Sequence, residues 1–170
     1  MNRLLKIALF LCLMTTLTSH AQVSRNFNKG SHELGLGNLG ILYSNVGGFA
    51  VSANVRYQYY VLNRLSVGGF GFYNSIDEGE WMGLGPSASY ILFTMRNWFG
   101  RLDQQITAAK FNGFEERMAT LYGTSTLSVS YMPLDSNFFV GLGYAHSYAL
   151  NKGEIIEPNG VQVLMGWFWR

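Results

Sequence analysis

The chain has 170 residues, with 12 Lys+Arg against 10 Asp+Glu, one cysteine, 15% aromatic and only 13% charged residues. So even a balance offers no polyanion-binding face and argues against a nucleic-acid partner. A single cysteine permits no internal disulfide, and 20 glycines with 3 prolines among many aromatics suit strands better than a helical bundle.

The first element is a targeting segment. Arg3 and Lys6 precede an apolar run from Ile7 to Met14 that reaches Leu17 across two threonines, and Ser19-His20-Ala21 follows. A basic start, a short apolar run and small residues at a cleavage site are the pattern of an export signal. The run falls short of the roughly 20 residues a spanning helix needs. Residues 1–21 are therefore predicted to be cleaved and 22–170 to form one domain. Cleavage removes Arg3, Lys6 and Cys12, which leaves ten basic against ten acidic residues and no thiol.

Alternation then sets the pattern. The first strand begins at Ser31 (SHELGLGN), followed by a loop, YSNVGG. The second, Phe49 to Val61, is the clearest: Phe49, Val51, Ala53, Val55, Tyr57, Tyr59 and Val61 share one face, and Ala50, Ser52, Asn54, Arg56, Gln58 and Tyr60 the other. Period two is the signature of a strand with two distinct faces. After a tight turn at Asn63, the third strand runs from Leu65 to Tyr73, its parity left open because Gly68-Gly69 can host a bulge that switches Phe70 and Phe72 between faces. A loop, NSIDEGE, leads to the fourth strand, Trp81 to Leu92, which Pro86 weakens.

The fifth strand, Trp98 to Ala108, ends in the loop AKFNGFEER. The sixth, Met118 to Tyr131, leads through the short turn MPLDSN to the seventh, Phe138 to Tyr148. After NKGEIIEPNG comes the eighth, Gly160 to Trp169, with Val161, Val163, Met165, Trp167 and Trp169 on one face.

Short turns after even strands and long loops after odd ones describe an up-and-down meander. A soluble barrel of this size would have to fit the bulky faces into an interior just wide enough for side chains. It would also present mostly Gly, Ser, Thr and Asn to water. Turned inside out, small and polar residues fill the lumen and bulky ones meet lipid, where only a closed barrel satisfies its backbone. The predicted fold is all-β: an eight-stranded antiparallel up-and-down transmembrane β-barrel. Its location is the outer membrane of a diderm bacterium, with both termini periplasmic. Tyr59, Tyr60, Phe93, Trp98, Phe99, Tyr131, Phe138, Phe139, Trp167 and Trp169 lie beside the short turns and are expected to form an interfacial girdle.

A signal ending in AQ, the ELGLG start, the VRYQYYVLNRLSVGGFGFY hairpin and the aromatic final strand together resemble the small outer-membrane β-barrel domain family. That family is related to the OmpA and OmpX transmembrane barrels and common in Bacteroidetes-type bacteria. The resemblance covers essentially the whole mature chain and implies fold, location and insertion route, since the family shares architecture more than activity.

Candidate sites are few. Gly35-Leu36-Gly37-Asn38-Leu39-Gly40 matches a dinucleotide fingerprint, but no helical period follows and Tyr60 stands where an acid belongs. His146-Ser147 invites comparison with outer-membrane enzymes that deacylate lipid A with a His and a Ser on a late strand. Neighbours on a strand face opposite ways, however, which separates base from nucleophile. His32 has no partner for a metal site. No cofactor, metal or catalytic residue is expected.

Glu33, Arg56, Arg101 and Asp103 share lumen parity and are expected to pair as a salt-bridged plug, with a narrow pore as the competing reading. Val163, Met165, Trp167 and Trp169 carry the C-terminal pattern read by the barrel-insertion machinery. Asp77, Glu78, Glu80, Glu115, Glu116, Glu154 and Glu157, with Lys110, Arg117 and Lys152, are assigned to long loops facing outer-membrane lipid, lipopolysaccharide and any extracellular ligand. The function expected is a non-enzymatic barrel of structural or surface-interaction type. The alternatives are a lipid A-modifying enzyme, a narrow pore, or an accessory barrel of a secretion system.

Overall fold

The computed structural model describes residues 27–36, 40–44, 48–76, 79–113, 117–133, 136–150 and 159–170. The signal-peptide reading and most of the loop acids lie outside them. The strands are β1 (His32–Leu36), β2 (Gly40–Ser44), β3 (Gly48–Leu62), β4 (Leu65–Ile76), β5 (Gly79–Met95), β6 (Trp98–Gly113), β7 (Arg117–Tyr131), β8 (Phe138–Ala149) and β9 (Asn159–Trp169). Both β1 and β2 pair with β3 on one side and β9 on the other, so they are two lengths of one stave. The result is a closed, all-antiparallel barrel of eight staves. Its seam is the pairing of the first stave with the last, for example Leu34 with Trp167.

Alternation has become inside and outside. Leu84 is 70% exposed and Leu142 60%, while Arg101, Gln58, Ser66 and Thr107 are wholly buried. That is the inverse of a soluble core and the arrangement of a barrel whose exterior meets lipid. No helix among the described residues is long and apolar enough to cross a membrane.

Several boundaries differ from the sequence reading. Strand runs through Gly40–Ser44, so Tyr43 and Ser44, read as the start of a loop, belong to it, and Gly48, read as the loop's end, begins β3. The hairpins at Ile76 to Gly79 and Gly113 to Arg117 carry strand well into segments read as loops, so Glu80, Lys110 and Arg117 lie in β5, β6 and β7.

No bulge occurs at Gly68-Gly69; the register of β3 and β4 runs unbroken there and shifts instead between Tyr60 and Leu62. The reason for glycine is close approach: a Cβ on Gly68 would sit 1.9 Å from the Tyr57 carbonyl oxygen. A second shift lies between Ile91 and Phe93. Pro86 stays within β5 with its side chain outward and exposed. The β5–β6 ladder pauses between Leu84 and Ser87, which relieves proline of a hydrogen bond it cannot donate.

Candidate functional site

β1 and β6 stand on opposite walls of the barrel, four staves apart, and the lumen is narrow enough for their side chains to meet. Glu33 from β1, Arg56 from β3, and Arg101 and Asp103 from β6 form one closed ring. Arg101 Nη1 lies 2.7 Å from Glu33 Oε1 and its Nε 3.0 Å from Asp103 Oδ2. Arg56 Nη1 lies 3.1 Å from Asp103 Oδ1, and its Nη2 contacts Glu33 Oε1. Each guanidinium therefore bridges both carboxylates, and two positive charges balance two negative ones.

Neutral donors complete the ring. Tyr60 donates to Glu33 Oε2 at 3.1 Å and Ser89 to Asp103 Oδ1. Gln58 Nε2 reaches Ser87 Oγ at 2.5 Å. Gly35, read as part of a dinucleotide motif, lies in β1 with its α-carbon facing the Arg56 guanidinium at close range; no strand-to-helix turn is present among the described residues.

Beneath the ring, toward the short turns, the lumen is stopped by rings. Phe27, Tyr60, Phe99, Phe139 and Phe168 pack with Ile91, Met132 and Leu164. Phe27 lies 4.8 Å from Phe99 and 5.1 Å from Phe168, centroid to centroid. Phe139 carries Arg101 over its face at 5.5 Å, so ring and stopper are one packed unit. Sequence reading had assigned Tyr60, Phe99 and Phe139 to an outer girdle; the structure turns them inward. In each of the pairs Tyr59-Tyr60, Trp98-Phe99 and Phe138-Phe139, one member faces out and the next faces in.

Phe27 and Phe168 were missed altogether. Phe168 follows from the parity of its own strand, but nothing local marks Phe27. It reaches the lumen because the segment before β1 folds under the barrel. Arg64 N donates to the Phe27 carbonyl at 2.7 Å, Gly30 N to the Tyr60 carbonyl at 2.9 Å, and Gly30 takes φ 88°, a conformation glycine adopts without strain.

Among the described residues, the half of the lumen toward the long hairpins carries only neutral side chains. Trp81, Tyr122 and Ala109 cluster with Phe72, and Thr124 Oγ1 shares a hydrogen bond of 2.9 Å with Ser147 Oγ. Trp81 Nε1 and Asn74 Oδ1, on cross-strand neighbours, find no protein partner. Among the described residues, small lumen cavities include one of about 20 Å³ beside Arg56 and Asp103 and one of about 40 Å³ beside Asn74, Tyr122 and Ser147. Each is the size of one or a few waters, which would serve Arg56 Nε in the first and Asn74 Oδ1 in the second.

His146 and Ser147 are parted by the sheet: His146 is outside and exposed, Ser147 inside and 1% exposed. The His146 ring instead bonds Asn159 Oδ1 at 2.8 Å. The serine across from it on the outer face, Ser125, is engaged with Gln104 at 2.7 Å. His32 stacks on Trp169 at 5.6 Å and bonds the Tyr57 hydroxyl at 2.7 Å, across the seam. Among the described residues no cluster of His, Cys, Asp or Glu could hold a metal ion. Of the C-terminal set, Trp167 and Trp169 are exposed, and Val163 and Met165 are half-buried on the same outward face.

Solved structures share this architecture. The chain is similar to the N-terminal β-barrel domain of OprF from Pseudomonas aeruginosa, with TM-score 0.61 and 11% identity over 83% of this chain and 98% of that one. It is similar to Neisserial surface protein A, with TM-score 0.59 and 14% identity over 81% and 94%. It is also similar to Ail, the attachment invasion locus protein of Yersinia pestis, with TM-score 0.53 and 15% identity over 83% and 99%. No protein-family model matches the sequence, and no curated protein matches it as a relative. At these identities the likeness is one of fold.

Proposed function

We propose that the chain is an integral outer-membrane barrel of structural or surface-interaction type, non-enzymatic and non-conducting, with both termini in the periplasm. The observation that carries this is the pairing of an apolar exterior with a lumen closed by the four-charge ring and the aromatic stopper. A conducting path would have to displace both, and breaking a buried ion pair is costly. The shared fold with OprF, Neisserial surface protein A and Ail supports an outer-membrane setting.

Val163, Met165, Trp167 and Trp169 would present the outward pattern to the insertion machinery, and the hairpin ends would face lipopolysaccharide and extracellular ligands. The test is fractionation with conductance. The mature protein should partition with outer membranes, migrate as a compact band before boiling, and pass no porin-like current in planar bilayers. Recovery as a soluble periplasmic monomer, or a steady current through the unaltered barrel, overturns the reading. Deleting Trp167 to Arg170 should abolish insertion, because those residues also close the seam; deleting Arg170 alone should change little.

A further inference from the structure

One sector of the exterior is not convex. Across β3 to β6, two neighbouring rows in ladder register place small residues beside large ones: Gly71 pairs with Leu84 and Leu84 with Ala108, while Ala53 pairs with Tyr73 and Tyr73 with Met82. Ala53, Gly71 and Ala108 leave the floor bare, and Tyr73, Met82 and Leu84 stand around an open recess of about 870 Å³. That is many times the volume of either lumen cavity, and the lining is overwhelmingly apolar.

Lys110 closes one end of the recess. It pairs with Met82 and lies twelve residues beyond Trp98 in the same strand. A tilted strand crosses the hydrocarbon in about 9–11 residues. With Trp98 at one interface, the Lys110 ammonium therefore stands at headgroup level of the other, directly above the apolar slot. No described carboxylate forms an ion pair with it.

From this juxtaposition we infer that the β3–β6 face is a binding site for one phosphate-bearing membrane lipid, whose acyl chains straddle Leu84, over Gly71 on one side and Ala108 on the other, and whose phosphate meets Lys110. The inference rests on the membrane reading above. It goes beyond it by assigning a particular lipid chemistry to a particular face. A smooth barrel exterior wets any lipid equally, whereas a slot capped by a cation selects for an anionic head joined to a chain.

The experiment is native mass spectrometry of the full mature barrel released from neutral detergent, titrated with phosphatidylglycerol, lipid A, phosphatidylcholine of matched chains, or inorganic phosphate. One anionic lipid should be retained about five-fold more than phosphatidylcholine, the factor expected from one lysine near a phosphate, and inorganic phosphate should not compete. Lys110→Gln should reduce retention to the phosphatidylcholine level. Gly71→Leu with Ala108→Leu should abolish it for every lipid, and Ala53→Leu, at the edge of the recess, should weaken it. Compact migration before boiling shows whether each protein is still a folded barrel: its absence in the unaltered protein would overturn the membrane reading, and where the double variant lacks it, Lys110→Gln and Ala53→Leu carry the test of the slot. Equal retention by the unaltered barrel and folded variants, equal retention of anionic and neutral lipids, or a dimer mass in place of the adduct overturns the proposal.

Discussion

Toward the short turns, Arg56 and Arg101 each bridge both Glu33 and Asp103 above five packed aromatic rings. Toward the long hairpins the same lumen carries the neutral groups Asn74, Trp81, Thr124 and Ser147, with a small cavity beside Asn74, Thr124 and Ser147. The two halves differ in what a defect costs. A neutral buried group left unpaired costs about 1–3 kcal/mol and can borrow a water, so neutral gaps occur in both halves, at Asn74 Oδ1 and Trp81 Nε1 toward the hairpins and at Gln58 Oε1, Ser66 Oγ and Thr94 Oγ1 toward the turns. A buried charge left unpaired costs several kcal/mol, so in the turn half it is the charges that cancel. The Arg56 Nε and Arg101 Nη2 protons that find no acceptor fit this difference, since their charge is already neutralised through the other guanidinium nitrogens.

The comparison breaks most severely at Arg101. Arg101→Met leaves two carboxylates facing one guanidinium and should lower stability by about 3–5 kcal/mol, read by urea unfolding in micelles. Adding Glu33→Gln should recover part of that loss, and no recovery would show that packing on Phe139, not charge, dominates.

Next is Phe27→Ala. Deleting a packed phenylalanine costs about 3–5 kcal/mol in a rigid core, but Phe27 belongs to a segment that can release alone. The expected result is fast amide exchange at Gly30 and Tyr60, whose hydrogen bonds tie that segment down, with a smaller change in global unfolding. An unchanged exchange rate would mean that the stopper does not depend on its N-terminal ring.

In the hairpin half, Thr124→Val removes a neutral hydrogen bond and should cost only about 1 kcal/mol in the same urea assay. A loss as large as that at Arg101 would erase the distinction between the halves. The smallest effect is expected outside the lumen: His146→Ala should leave the acyl pattern of the host's lipid A unchanged by mass spectrometry, because Ser147 faces the other way.

Parity alone was enough to put Glu33, Arg56, Arg101 and Asp103 on the lumen side, since a strand has only two faces and a barrel only one interior. The same rule, followed through Tyr59-Tyr60 and Trp98-Phe99, would have sent the second member of each pair inward; reading them as a girdle grouped residues by height and ignored direction. Phe27 was beyond reach, because its place depends on how an irregular segment turns at Gly30. The strand ends at Gly79–Glu80 and Ala109–Gly113 were hidden for a different reason. The residue types there, Gly79-Glu80 and Ala109-Lys110-Phe111-Asn112-Gly113, do not alternate apolar with polar, so the pattern that announces a strand fades while the hydrogen-bonded ladder continues.

The seam has a kinetic consequence. Every other neighbouring pair of staves is joined by a hairpin and can zip locally, but β1 and β2 meet β9 only after the whole chain has been made. Contacts of such separation in sequence carry the greatest loop-closure entropy and form last. Until then β9 and the first stave are two unpaired edges in a membrane that offers their backbone no hydrogen bonds. The stack of His32 on Trp169 sits where that final contact is made and would act as its latch. The slowest phase of folding should therefore be ring closure and not strand formation, and the rate at which this protein matures would be set by two aromatic side chains at opposite ends of the chain.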